Sequence, residues 1–146
     1  MEKKYKLTDE TINVGGKKLC QIEALKDFRD VKKGDKGGFI EYEHNLSHDG
    51  NAMVYGNAMV YDNARVCDNA KIENNSDYIV FKNWWSSGRY FTWTRSNNMW
   101  KVGCFYGTGE ELIEKAYKDS ELSGREYKRV VNYVESILRD EKLKKN

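Results

Sequence analysis

A period of six dominates the middle of this 146-residue chain. Residues 50–73 read Gly-Asn-Ala-Met-Val-Tyr, Gly-Asn-Ala-Met-Val-Tyr, Asp-Asn-Ala-Arg-Val-Cys and Asp-Asn-Ala-Lys-Ile-Glu, four copies without a slip. Ala52, Ala58, Ala64 and Ala70 share one phase, and Val54, Val60, Val66 and Ile72 share another two residues later. Side chains two apart on an extended chain point the same way, so both phases are expected to face inward. Met53, Tyr55, Met59, Tyr61, Arg65, Cys67, Lys71 and Glu73 then point outward. Gly50-Asn51, Gly56-Asn57, Asp62-Asn63 and Asp68-Asn69 read as corners, because Gly, Asn and Asp tolerate left-handed dihedrals at least cost. Six residues cannot satisfy their own backbone, so each hexad needs neighbours stacked above and below.

This pattern resembles the hexapeptide-repeat left-handed parallel β-helix, in which three hexads close one triangular coil. A flat hairpin array is the alternative, but no hairpin turn recurs every twelve residues. The 24 repeat residues make too few coils to stand alone, so flanking sequence must contribute. Ile40, Leu46 and Ala52 keep the six-residue step, Phe28 and Val31 add apolar points, and Gly34-Asp35, Gly37-Gly38 and His48-Asp49 supply turns. The expected β-helix therefore spans residues 25–78, about three coils. Upstream, Tyr5-Lys6-Leu7 and Lys18-Leu19-Cys20-Gln21-Ile22 flank Gly15-Gly16, a hairpin signal. That hairpin, residues 1–24, is expected to cap the open end of the coil.

Past residue 77 the period vanishes. Tyr78–Asn83, Arg89–Arg95 and Met99–Phe105 are ring-rich segments separated by Ser86-Ser87-Gly88 and Ser96-Asn97-Asn98, which predicts a three-strand antiparallel meander. Two helices follow. Thr108-Gly109-Glu110-Glu111 is a capping box ahead of Leu112, Ile113, Ala116 and Tyr117, and Ser123-Gly124-Arg125-Glu126 is a second. Tyr127, Val130, Val131, Val134, Ile137 and Leu138 form one helical stripe, and the tail from Glu141 is expected to fray. The fold expected is thus mainly β plus α+β: a short left-handed parallel β-helix of about three coils, then a three-strand antiparallel meander and two C-terminal helices. Residues 79–146 form the aromatic-rich α+β module, and with no linker before it the two halves are expected to share a core.

The repeat followed by Trp-Trp-Ser-Ser-Gly-Arg-Tyr-Phe-Thr-Trp-Thr-Arg (84–95) also resembles small uncharacterised proteins encoded by bacteriophages and prophages of Gram-positive bacteria. In those, runs like Val-Tyr-Gly-Asn-Ala (54–58) precede a segment like Gly103-Cys104-Phe105-Tyr106-Gly107-Thr108. The resemblance spans most of the chain. It implies a viral origin and a bacterial host cytosol as the setting, rather than a chemistry.

Composition narrows the function classes. Aromatic residues make up 13%, too many for a disordered chain. With 25 Lys and Arg against 23 Asp and Glu the net charge is only +2, which excludes a bulk nucleic-acid coat and makes any anion site local. The longest apolar runs, such as Tyr78–Phe81, are far short of the roughly 20 residues a membrane span needs. Met1-Glu2-Lys3-Lys4 leads into no apolar stretch, so no secretion signal is expected. Cys20, Cys67 and Cys104 are unclustered and read as reduced thiols.

Hexapeptide β-helices are best known as trimeric acyltransferases that use a His general base. This chain offers only His44 and His48, with Glu43 and Asp49 as partners, and no long loop to shape an acyl-donor groove. The same four residues make a weak zinc signal, since a four-residue step aligns on a helix but not on an extended chain. Turn residues bonding their own backbone is the simpler reading, and no catalytic residue, metal or cofactor is assigned. Cys67 and Cys104 lack a cationic neighbour to make a reactive thiolate. Met53, Tyr55, Met59 and Tyr61, read as outward, must be covered by something, either the C-terminal module or a second copy in a dimer or trimer; the oligomer is preferred.

The strongest candidate is Trp84, Trp85, Arg89, Tyr90, Trp93 and Arg95 with Trp100 and Lys101 on the adjoining strand. Alternation puts Arg89, Phe91, Trp93 and Arg95 on one face and Tyr90, Thr92 and Thr94 on the other. Rings beside guanidinium groups suit a stacked base and a held phosphate, and the helix start at Thr108 could add amides. A meander packed on two helices also needs rings, so packing is the competing role. The function expected is a non-catalytic phage-type binding protein that sequesters a nucleotide-like anionic host signal in counter-defence. A protein–protein inhibitor or oligomeric assembly module acting on a host or phage protein is the alternative, and an acyltransferase the third.

Overall fold

The Gly15-Gly16 turn holds the N-terminal hairpin expected from sequence. In the computed structural model, which describes residues 2–145, both glycines are left-handed (φ 56° and 84°). They join β1 (Tyr5–Val14) to β2 (Lys17–Ala24) with Val14 opposite Lys17. A two-residue turn of this hand matches the twist of its strands. The antiparallel order continues from β2 into β3 (Lys36–Ile40), and β5 (Met59–Val60) adds in parallel to the far edge of β3. Met1 and Asn146, the outer bounds of the first and last expected segments, lie outside the described residues.

The hexad phases hold. All eight Ala, Val and Ile residues of the two inward phases are no more than 3% exposed. Gly50, Gly56, Asp62 and Asp68, the first residue of each corner, all have positive φ. What they build is not a left-handed parallel β-helix of three coils. Among the described residues, parallel pairing is confined to two residues of β3 with β5, two of β4 (Met53–Val54) with β6 (Lys71–Ile72), and one bridge, Leu46 to Val66. The architecture is mixed α+β, with one four-strand mixed sheet, one four-strand antiparallel sheet and two helices. Each hexad uses its corner residues for turning and leaves at most two for a ladder, and the third leaves one, so the longer hairpin strands set the sheet order instead.

The second sheet is a meander of four strands rather than three: β7 (Tyr78–Lys82), β8 (Tyr90–Thr94), β9 (Met99–Val102) and β10 (Phe105–Gly107). Gly103, left-handed at φ 55°, breaks the expected third strand into a hairpin and leaves Cys104 exposed in its turn. This sheet buries both faces. On β7, Tyr78 and Val80 pack on the hexads, while Ile79 and Phe81 pack with Phe91, Trp93 and Trp100 under the helices. The halves therefore do not share one core. Two apolar clusters sit on opposite faces of one wall.

α1 (Gly109–Asp119) begins at the capping box expected at Thr108. α2 (Glu121–Lys145) begins earlier than expected, where Ser120 Oγ accepts the Ser123 N–H at 3.0 Å, and runs on through the tail expected to fray. Leu112, Ala116, Tyr127, Val131 and Val134 cover the meander. Neither helix is long and apolar enough to cross a membrane.

The hexad row read as outward is largely covered by the same chain. Met53 is 1% exposed in the first core, near Ile22 and Gly37, because the hairpin sheet folds over it. Tyr55 is half-buried and donates its hydroxyl proton to Asp30 at 2.8 Å, with Lys71 over its ring. The Met59 carbonyl accepts from Tyr78 Oη at 2.9 Å. The surface argued for an oligomer through Met53, Tyr55, Met59 and Tyr61 thus loses its first two members to intramolecular packing.

Candidate functional site

The seam between the third hexad and the meander forms the candidate site. The Arg65 N–H donates to Thr92 Oγ1 at 3.0 Å, which locks that hexad against β8. Thr92 lies opposite Lys101 on β9, so the Lys101 side chain rises on the same face. Arg89 sits in the turn just before β8, and Tyr90 begins the strand. With Asn63 and Gly103 these residues line a cleft of about 490 Å³. Arg65, Arg89 and Lys101 converge on it, and among the described residues none of the three is within ion-pair distance of a carboxylate. Tyr90 is 46% exposed at the rim, with Lys82 Nζ 5.9 Å from its ring centroid.

Three of the eight residues expected to bind ligand are brought together here: Arg89, Tyr90 and Lys101. Trp93 and Trp100 are corrected to core. They are 0% and 1% exposed, and Trp93 Nε1 donates to Asn98 Oδ1 at 2.8 Å, so neither ring has a free face. Trp85 packs edge-on to Tyr127 and donates from Nε1 to Ser123 Oγ at 2.9 Å. Arg95 holds both Glu141 carboxylate oxygens at 2.6 Å and the Ser76 carbonyl at 3.1 Å, which fastens α2 to the meander and leaves little for a ligand. Trp84 alone stands out, 68% exposed with its neighbour Trp85 at its edge. Arg89 accepts the Asn83 N–H on its carbonyl at 2.8 Å just before β8, and it borders both this cleft and a second hollow lined by Phe91 and Tyr127.

Asn63, Arg65 and Thr92 went unassigned in the sequence. A signal exists for Arg65, since the fourth hexad position changes from Met53 and Met59 to Arg65 and Lys71. At the helix start the capping box takes two amides, the Thr108 N–H on Glu111 Oε1 at 2.9 Å and the Glu111 N–H on Thr108 Oγ1 at 3.2 Å, and it puts a carboxylate where an anion would sit.

The histidine cluster is a fastening for the N-terminal strand. His48 Nδ1 accepts the Lys4 N–H at 3.1 Å, which puts its proton on Nε2, 3.4 Å from Glu43 Oε2. Its ring stacks on Tyr5 at 4.1 Å. His44 Nε2 is 2.9 Å from the Asp62 carbonyl and stacks on Tyr42. Lys3 and His48 hold the Glu43 carboxyl below the usual carboxylate range. Among the described residues no group of three or more His, Cys, Asp or Glu is placed to hold a metal ion. Burial pushes the Cys67 thiol up despite the nearby Lys101, so it stays protonated and a poor nucleophile.

No protein-family model matches the chain, and a search of curated proteins finds no match either.

Proposed function

We propose that this chain is a non-catalytic binding protein that captures a nucleotide-like anion at the seam between hexads and meander. The observation that carries the reading is that Arg65, Arg89 and Lys101, all without carboxylate partners among the described residues, line one cleft beside the partly exposed ring of Tyr90. A phosphate fits the cations, since charge-assisted bonds to it contribute roughly 1.5–3 kcal/mol each. A base stacked on Tyr90 adds about 1–3 kcal/mol. Sequestration in a host cell, as the phage resemblance suggests, needs such affinity and no activated nucleophile.

Isothermal titration with ADP tests it. Binding at low salt is expected, weakened about tenfold or more by Arg89→Ala or Lys101→Ala. Tyr90→Ala should weaken it and Tyr90→Phe should not. No heat with ADP or pyrophosphate at millimolar concentration sinks the reading.

The exposed indole of Trp84 favours a second reading, an assembly or inhibitor module that anchors a protein partner there. Light scattering tests its self-assembly form: the native mass should fall to that of one chain in Trp84→Ala.

A further inference from the structure

The basic cleft is the middle of a longer groove. At one end it shares Asn63 and Tyr90 with a hollow of about 480 Å³ walled by Tyr61, Tyr78, Ile79 and Val80. At the other it shares Arg65 and Lys101 with a hollow of about 410 Å³ that contains Ser47, His48, Asp49 and Glu43. The chemistry changes in order along the seam. Rings and branched aliphatics come first, with the amides of Asn63 and Asn75 and the Asp62 carboxylate, which Lys17 neutralises at 3.5 Å; the rings suit the faces of a base and the polar groups its edge. Three cations follow. Two carboxylates close the far end: Glu43, already engaged by Lys3 and His48, and Asp49, whose carboxylate repels a further phosphate and accepts hydrogen bonds from hydroxyl groups, as acidic side chains do for a ribose diol.

Resting on the reading above, we infer that the ligand is a nucleotide with groups on both sides of its phosphates: a base at the Tyr61–Tyr90 end, phosphates over Arg65, Arg89 and Lys101, and a hydroxyl-bearing sugar at the Asp49 end. A simple mononucleotide leaves the acidic hollow empty. A nucleic-acid strand places a phosphate where Glu43 and Asp49 sit. A nucleoside diphosphate joined to a second sugar matches all three sections. Asp49 has no ion-pair partner among the described residues, which leaves its carboxylate to receive the sugar hydroxyls.

Isothermal titration of the full chain with AMP, ADP, ADP-ribose and a five-nucleotide RNA separates the possibilities. ADP-ribose is expected to bind about tenfold or more tightly than ADP. Asp49→Asn should narrow that gap to less than about threefold, while Tyr61→Ala weakens all three adenine ligands together. Thermal melting confirms that each variant folds. Equal affinity for ADP and ADP-ribose, or a preference that survives Asp49→Asn, overturns the extended groove and leaves the phosphate-and-ring site standing. Tighter binding of the RNA than of ADP-ribose also overturns it, in favour of a strand. Failure of all four ligands overturns the underlying reading as well.

Discussion

Replacing Asn45 with alanine tests how the cleft wall is held. Asn45 is fully buried, and its amide joins the turn at residues 41–46 to the third hexad. Its Oδ1 accepts the N–H groups of Tyr42 at 2.8 Å and Glu41 at 3.2 Å, and its Nδ2 donates to the carbonyls of Ala64 at 2.9 Å and Asp62 at 3.2 Å. Two of these four groups keep another partner, since the Glu41 N–H also reaches the Val60 carbonyl and His44 Nε2 lies 2.9 Å from the Asp62 oxygen. The Tyr42 N–H and the Ala64 carbonyl lose their bond outright. Each such orphan is worth roughly 1–3 kcal/mol, so Asn45→Ala should destabilise the fold by about 3–4 kcal/mol. At this chain length that lowers the melting temperature by about 10 °C. Asn45→Asp keeps the acceptor for Tyr42 but turns a carboxylate oxygen towards two carbonyls, so it should be no better. Circular dichroism melting of the three proteins reads both effects. An Asn45→Ala protein melting within about 2 °C of wild type would falsify the accounting, because water would then be replacing the amide.

Gly38→Ala is expected to cost about 1–3 kcal/mol, since its Cβ would sit 2.6 Å from the Ala58 carbonyl oxygen and from Val54 Cγ1; a denaturant midpoint equal to wild type contradicts that close approach. Trp93→Ala should destabilise by roughly 3–5 kcal/mol and Trp84→Ala by no more than about 0.5, so chemical denaturation that ranks them the other way refutes the assignment of core and surface indoles. Lys4 is buried with Nζ 2.6 Å from the Ala52 carbonyl, and burial, helped by Lys26 and Arg29, pulls it from 10.5 to about 8. Between those values the unfolded chain holds a proton that the folded chain has released, so stability rises with pH across the window. Wild type should therefore gain on Lys4→Met between pH 8 and about 10 in thermal melting; a gap that is flat or closes shows that Lys4 does not titrate there.

Residues with local causes were legible in the sequence. The Gly15-Gly16 turn, the left-handed corners at Gly50, Gly56, Asp62 and Asp68, and the Thr108 capping box each depend on a few adjacent residues, and each is present. The inward Ala and Val phases follow from the two-residue alternation of extended chain, whatever that chain then packs against. Of the residues that line the candidate cleft, Arg89, Tyr90 and Lys101 were recognisable as cations and a ring on or beside neighbouring strands.

The amino-acid order by itself determined turns, caps and the burial phase, because these follow from backbone sterics and short-range periodicity. Tertiary structure decided which surfaces meet. Met53 is buried because a hairpin some 30 residues upstream closes over it, and Trp93 and Trp100 because they lie on the face of the meander that the two helices cover. The cleft unites Asn63 and Arg65 with Arg89 and Lys101, residues more than 20 positions apart in the chain. Such a meeting depends on how sheet and hexads pack, a long-range result that no local pattern encodes.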